Sequence, residues 1–185
     1  MKKVIILASG SGTNAQNIIE YFSSNNNITI SLVISNNRNA GVFNRISKFK
    51  IPSFWLNREA FDNKYLNILF SQEKPDLIVL AGFLWKIPNS LIKEFRNKII
   101  NIHPALLPLY GGKGMYGKNI HEIVKKNGDK FTGITIHYVN EEYDKGLILF
   151  QEKTSIDSLD SVDDIVVKIQ ILEHFHYPRI IEKLL

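Results

Sequence analysis

Along the chain, short unbroken runs of aliphatic residues alternate with stretches whose apolar positions recur every three or four residues. Val4-Ile5-Ile6-Leu7-Ala8, Ile28 to Ile34, Ile51 to Leu56, Asp76 to Ala81 and Lys98 to Ile102 are runs of the first kind. Continuous hydrophobicity over so few residues marks strands covered on both faces, the condition of a parallel sheet. Between them lie helical patterns: Ala15, Ile18, Ile19 and Phe22; Ala40 to about Lys48; a helix opening at Arg58 with Phe61, Tyr65, Ile68 and Leu69 as its apolar stripe; and Pro88 to Phe95. Thr132 to Val139 and Leu147 to Thr154 read as two further strands joined by a short polar loop, so the sheet is predicted to finish antiparallel. Ser161-Val162-Asp163-Asp164 reads as a capping box. It opens a long helix with Val166, Ile169, Leu172 and Phe175 on its stripe and Glu173 off it, running to Pro178 and resuming to Leu185. The prediction is an α/β fold: a mostly parallel sheet flanked by helices, with antiparallel strands at the C-terminal end.

Composition narrows the class. The chain has 185 residues of which 44% are hydrophobic, enough for one sizeable core and a single domain over 1–185. A formal net charge of +5 favours an anionic small molecule, and its even spread does not point to nucleic acid. With no cysteine there is no disulfide, thiolate nucleophile or Cys-ligated metal. Met1-Lys2-Lys3 precedes an apolar run too short for a membrane span or a secretory segment, so a soluble cytoplasmic protein is expected.

Candidate chemistry sits where the predicted strands end. Ser9-Gly10-Ser11-Gly12-Thr13-Asn14 follows the first strand and opens a helix, a layout that favours a phosphate, with Thr13 or Asn14 as the expected cap. The third glycine of a dinucleotide loop and the Gly-Lys-Ser/Thr of a nucleotide triphosphate loop are both missing, which leaves a monophosphate or a plain tight turn. After the fourth strand, Gly82 to Pro88 is an apolar loop in which Trp85 either meets a flat ring or caps the core. The fifth strand delivers Asn101 and His103, two apart and therefore on one face, ahead of Pro104 and Pro108. On these residues alone, a structural hydrogen-bonded pair and a catalytic pair both fit. Asp144, in the loop between the last two strands, can reach His103, where a carboxylate would raise the imidazole pKa; an ordinary Asp-x-Gly turn is the alternative. Gly111 to Gly117 is glycine-rich enough to act as a lid, His121 is expected on the surface, and Gln170 and Glu173 share a helix face open to solvent or a polar substrate.

Gly10-Ser11-Gly12-Thr13-Asn14, Leu80-Ala81-Gly82-Phe83, Asn101-Ile102-His103-Pro104-Ala105-Leu106-Leu107-Pro108, and Gly133 to Val139 through Asp144-Lys145-Gly146 occur in the order, and over nearly the whole length, in which they resemble the phosphoribosylglycinamide formyltransferases of the folate-dependent formyltransferase family. The resemblance implies a Rossmann-like sheet with an antiparallel end and transfer of a formyl group from 10-formyltetrahydrofolate to glycinamide ribonucleotide in purine synthesis, without a metal. It implies that Gly12, Thr13 and Asn14 cradle the phosphate, that Gln170 and Glu173 lie near the ribose and glycinamide, and that Asn101, His103 and Asp144 are catalytic. It also implies a pterin against the backbone of Leu84, Trp85, Lys86 and Ile87 and the loop from Val139 and Asn140 to Asp144, with Arg58 near the folate's acidic tail. Asn101 and a His103 held protonated by Asp144 would stabilise the tetrahedral oxyanion. Three features depart from the family pattern: Trp85 stands where arginine is frequent, Asn119 where histidine is common, and the Gly111–Gly117 segment is longer. A methionyl-tRNA formyltransferase-like enzyme is disfavoured by the length and by Leu109-Tyr110-Gly111 after the Leu-Leu-Pro motif, and a non-catalytic phosphate-ligand module is the other alternative. The expected partners are the two small substrates, no nucleic acid or membrane, and at most a weak homodimer.

Overall fold

The computed structural model describes residues 1–62 and 64–185. Strands β1 (Lys2–Leu7), β2 (Ile28–Ser35), β3 (Ser53–Trp55), β4 (Leu77–Leu80), β5 (Ile99–His103), β6 (Phe131–Tyr138) and β7 (Ile148–Ser155) form one sheet among the described residues, ordered β3-β2-β1-β4-β5-β6-β7. The pairs from β3 through β5 are parallel, and β5–β6 and β6–β7 are antiparallel, as the hydrophobic pattern predicts. Helices α1 (Thr13–Phe22), α2 (Gly41–Ile46, continued by a 3₁₀ turn at Ser47–Phe49), α3 (Arg58–Asp62), α4 (Tyr65–Glu73), α5 (Asn89–Glu94), α6 (Lys118–Lys126) and α7 (Val162–Leu184) complete the chain.

Alternate residues of β1 explain why that run is hydrophobic throughout. Val4 and Ile6 join a core with α1, α2 and α7, whereas Ile5 and Leu7 join a second core with α3, α4 and α5 on the opposite face. The strand order reverses between β1 and β4, where open α/β sheets bind ligands at their carboxyl edge. There Ser9 holds the two departing loops together: its N–H donates to Gly82 O at 3.1 Å and its Oγ accepts from Leu84 N–H at 2.8 Å.

Two helix expectations need correction. The pattern from Arg58 resolves into α3 and α4, with Lys64 in the left-handed region at φ 58° before α4; position 63, through which a single helix would run, lies outside the described residues. The buried side chains are Phe61, Leu66 and Phe70, and Tyr65 and Ile68 face solvent, because the break rotates the stripe by about one residue. In α7 the buried ridge is Ile165, Ile169, Glu173, Tyr177 and Ile181, spaced by four, so Glu173 lies on the core-facing ridge and Phe175 is exposed.

Nor does α7 stop at Pro178. A helical proline leaves the carbonyl four residues earlier without its amide donor. That carbonyl belongs to His174, and it accepts from Asn17 Nδ2 of α1 at 2.8 Å. The helix therefore continues as one piece. One turn beyond Glu173, the fully buried Tyr177 hydroxyl lies 3.0 Å from Leu80 O and 3.4 Å from Ile100 O, sharing its proton between the end of β4 and the neighbouring strand β5.

Candidate active site

The period of two along β5 and its antiparallel register with β6 bring four polar side chains together. Asn101 pairs with His137 and His103 with Thr135 across the two strands. His137 Nδ1–H donates to Tyr138 O at 2.9 Å, which fixes Nε2 as an acceptor for the Asn101 amide at 3.2 Å and leaves the second amide hydrogen of Asn101 free for a ligand. Thr135 anchors the proline loop: its Oγ accepts from Leu107 N–H and donates to Ala105 O. His103 Nε2–H donates to Tyr110 O at 2.8 Å, so Nδ1 is the nitrogen turned toward Asp144.

Asp144 arrives from the β6–β7 loop in the left-handed conformation, φ 55°, which aspartate tolerates better than most residues. Its Oδ2 accepts from Gly112 N–H at 2.8 Å and lies 3.7 Å from His103 Nδ1, and its Oδ1 lies 3.6 Å from His137 Nε2. Burial works against its charge, but His137, His103 and the Gly112 amide together hold the carboxyl below its usual range. For His103 the balance goes the other way. Burial pushes the imidazole below its ordinary pKa despite the opposing pull of the Asp144 carboxylate and the Tyr110 carbonyl. The expectation that Asp144 holds His103 protonated is thereby corrected: in a site this dry, desolvation outweighs one carboxylate beyond hydrogen-bond distance.

Asn101, His103 and Asp144 face a cavity of about 720 Å³ that crosses the carboxyl edge of the sheet from one helical layer to the other. One wall is made by Ser11, Asn14, Gln170 and Glu173, from the glycine loop, α1 and α7. The other is made by Phe83, Leu84, Trp85, Lys86, Ile87, Val139 and Asn140, and the glycine-rich segment from Gly112 to Gly117 contributes as well. Gly12 and Thr13 stand just behind the cavity surface. Gly12 is required twice over, by its φ of 79° and because a Cβ there would lie 2.6 Å from Val42. Neither Thr13 nor Asn14 caps α1: both are helical, and Gly12 occupies the cap with no side-chain acceptor, so the first-turn amides have no side chain over them.

Asn14 turns instead across the cavity floor, its Nδ2 donating to Glu173 Oε2 at 2.8 Å. Burial raises the Glu173 carboxyl to about 7, with the Asn14 bond pulling weakly the other way. A raised carboxyl stabilises the fold most in its neutral state, so this contribution is complete below pH 4.5 and is lost as pH rises through about 7. The shift corresponds to roughly 3 kcal/mol. Glu173→Gln is therefore expected to be more stable than the parent at pH 8, and the difference in denaturant unfolding free energy should shrink steadily from pH 7 to pH 5. A pH-independent difference would refute the assignment.

Trp85 stands between the core and the cavity. It packs edge-on against Phe61, 5.1 Å between ring centres, and it lines the cavity. Arg58 lies outside the cavity wall: its guanidinium stacks 4.9 Å from the Trp85 ring and its Nε pairs with Asp62 at 2.8 Å. His121 is not on the surface. It is buried on α6 against the cavity, with Nδ1 unpartnered among the described residues, because Ile120 and Val124 turn that face of the helix inward. His137 and Thr135 are the site residues that sequence reasoning passed over, although polar side chains at alternate positions of a buried strand were the available signal. Among the described residues no helix is long and apolar enough to cross a membrane.

The chain as a whole is similar to known proteins. The formyl transferase family model matches residues 2–181. The phosphoribosylglycinamide formyltransferase of Bacillus subtilis is 35% identical over 191 residues, covering all of this chain and 95% of that protein, and the Haemophilus influenzae enzyme of the same name is 36% identical, covering 98% and 86%. Among solved structures, phosphoribosylglycinamide formyltransferase from Bacillus halodurans superposes with a TM-score of 0.89 at 34% identity, covering 99% of this chain and 95% of that one. On a match that runs from β1 into α7 and on likenesses that span both partners, the chain belongs to the formyl transferase family.

Proposed function

We propose that the enzyme transfers a formyl group from 10-formyltetrahydrofolate to the amine of glycinamide ribonucleotide, a step of purine biosynthesis. The observation that carries this reading is the convergence of Asn101, His103 and Asp144 on the middle of a cavity whose two walls differ in kind. One wall suits a ribonucleotide monophosphate: the uncapped start of α1 for the phosphate, and Asn14, Gln170 and Glu173 for hydroxyls and the amide. The opposite wall, largely apolar with Phe83, Leu84, Trp85, Ile87 and Val139, suits a flat heterocycle. The relatives' name, phosphoribosylglycinamide formyltransferase, supports the acceptor and the group transferred.

In the proposed reaction the neutral amine attacks the formyl carbon, and the free amide hydrogen of Asn101 meets the oxygen on which negative charge develops. His103 Nδ1, neutral at the outset and facing the cavity, takes the proton from the attacking nitrogen; Asp144 is then the counter-ion that makes the buried imidazolium tolerable. As the carbon–N10 bond breaks, the same proton passes to the departing folate nitrogen. One C–N bond forms, one breaks, and the histidine ends as it began. The direct test is spectroscopic detection of tetrahydrofolate release from 10-formyltetrahydrofolate, with glycinamide ribonucleotide, initiator methionyl-tRNA or no acceptor present. Release with the ribonucleotide alone is expected. Release with the tRNA alone would assign a different acceptor, and tight ribonucleotide binding without release would make the chain a binding module.

A further inference from the structure

We infer that Tyr110 is a positioning residue that sets both the ring orientation and the tautomer of His103. The inference rests on the role given to His103 in the proposed transfer. Tyr110 lies outside the cavity wall, yet its carbonyl oxygen receives the His103 Nε2 proton at 2.8 Å, and two residues later Gly112 N–H supports the Asp144 carboxylate at 2.8 Å. A single turn of backbone, Tyr110-Gly111-Gly112, therefore orients both members of the imidazole–carboxylate pair.

That turn is not held by its own conformational preference. Tyr110 has φ 56°, a region a bulky side chain rarely occupies, and Gly112 has φ 104°. What fixes it is the tyrosine side chain. The ring packs with Ala105, Ile120 and Val124, and the phenol is tied to the turn that ends α6: it donates to Asp129 Oδ2 and accepts from Asn127 Nδ2 at 2.9 Å. The Asp129 carboxylate raises the phenol's pKa, so the hydroxyl keeps the proton it donates. Anchor, strained backbone and carbonyl thus form one chain of contacts ending at the imidazole. With Nε2 engaged, Nδ1 is left to exchange a proton with substrate. Were the carbonyl to move, the neutral ring would be free to place its proton on Nδ1 and lose the acceptor that the reaction uses.

The experiment pairs steady-state kinetics with nitrogen-15 NMR of the His103 ring in Tyr110→Phe, Asp129→Ala and Asp129→Asn. The parent is expected to show the Nε2–H tautomer. Tyr110→Phe and Asp129→Ala should shift it to a mixture and lower kcat about tenfold, with KM within about twofold of the parent. Asp129→Asn, which retains an oxygen for the phenol, should restore both signals. An unchanged tautomer in folded Tyr110→Phe or Asp129→Ala overturns the inference, whether or not turnover falls, and a loss of thermal stability alone identifies a merely structural anchor. Asp129→Ala keeps the test open if Tyr110→Phe does not fold. The NMR readout needs no turnover, so a failure of the formyl-transfer reading shows as inactivity of the parent and is told apart from a failure of the tyrosine's role.

Discussion

His103→Ala and Asn101→Ala are each expected to lower kcat by about a hundredfold or more while leaving the KM for both substrates within a few-fold of the parent. The reason is where these side chains stand. Both project from the last residues of β5 into the middle of the cavity, between the walls proposed for the two substrates, so neither is expected to contribute much to ground-state contact. In the proposed reaction each acts on charge or a proton that exists only while the tetrahedral species forms and collapses. The Asn101 amide already spends one hydrogen on His137, which locks its orientation before substrate arrives. His103 is locked in the same way by Tyr110. Preorganised groups of this kind lose little in binding and much in turnover when deleted. Steady-state kinetics on both variants, with folding checked by circular dichroism, makes the comparison; a loss confined to KM would remove these residues from the chemistry.

Gly146→Ala is expected to cost about 3 kcal/mol or more in unfolding free energy and to depress activity along with it. Its Cβ would fall 1.6 Å from Tyr138 O, a backbone atom with no freedom to step aside, because Tyr138 N is itself bonded to Leu147 O across the neck of the loop. The same carbonyl accepts the His137 Nδ1 proton. A methyl group here pries the β6–β7 connection apart at the point that aims Asp144 and His137 together. Gly10→Ala is the matched control, since a Cβ at that position meets nothing within 4 Å, and its unfolding free energy should stay within about 0.5 kcal/mol of the parent. Denaturant titrations of the pair decide it, and equal stabilities would show that the loop relaxes around the added carbon.

The layered sheet was legible because burial on both faces leaves so simple a mark: Val4 to Ala8 and Asp76 to Ala81 have almost no polar residue to spare for solvent. Asn101 and His103 were legible for the opposite reason, being polar side chains at the end of such a run. What the pattern concealed were polar groups inside helical ridges. Glu173 occupies a core position of α7 that Ile165, Ile169, Tyr177 and Ile181 define only when read at intervals of four, and His121 does the same on α6 beside Ile120 and Val124. Pro178 misled because the donor that replaces the missing amide, Asn17, is 157 residues from His174 in sequence. The direction of the His103 shift was equally out of reach. Proximity of an aspartate can be guessed from a turn motif, but the dryness that outweighs it depends on every wall of the cavity at once.

The Tyr177 hydroxyl gives α7 a second office. That helix carries Gln170 and Glu173 on the proposed ribonucleotide wall, and one turn later it is bonded to Leu80 O, the last carbonyl of β4, and to Ile100 O within β5, immediately before the loop proposed for the pterin and before Asn101. Because Pro178 does not break it, α7 behaves mechanically as a single beam bearing on both compartments. Were a ligand to tilt the beam from one end, the free energy of occupying the other would change, and by reciprocity the second ligand would change the first by the same factor. The compartments proposed for the two substrates thus share one continuous border, fastened to the sheet at a single buried phenol.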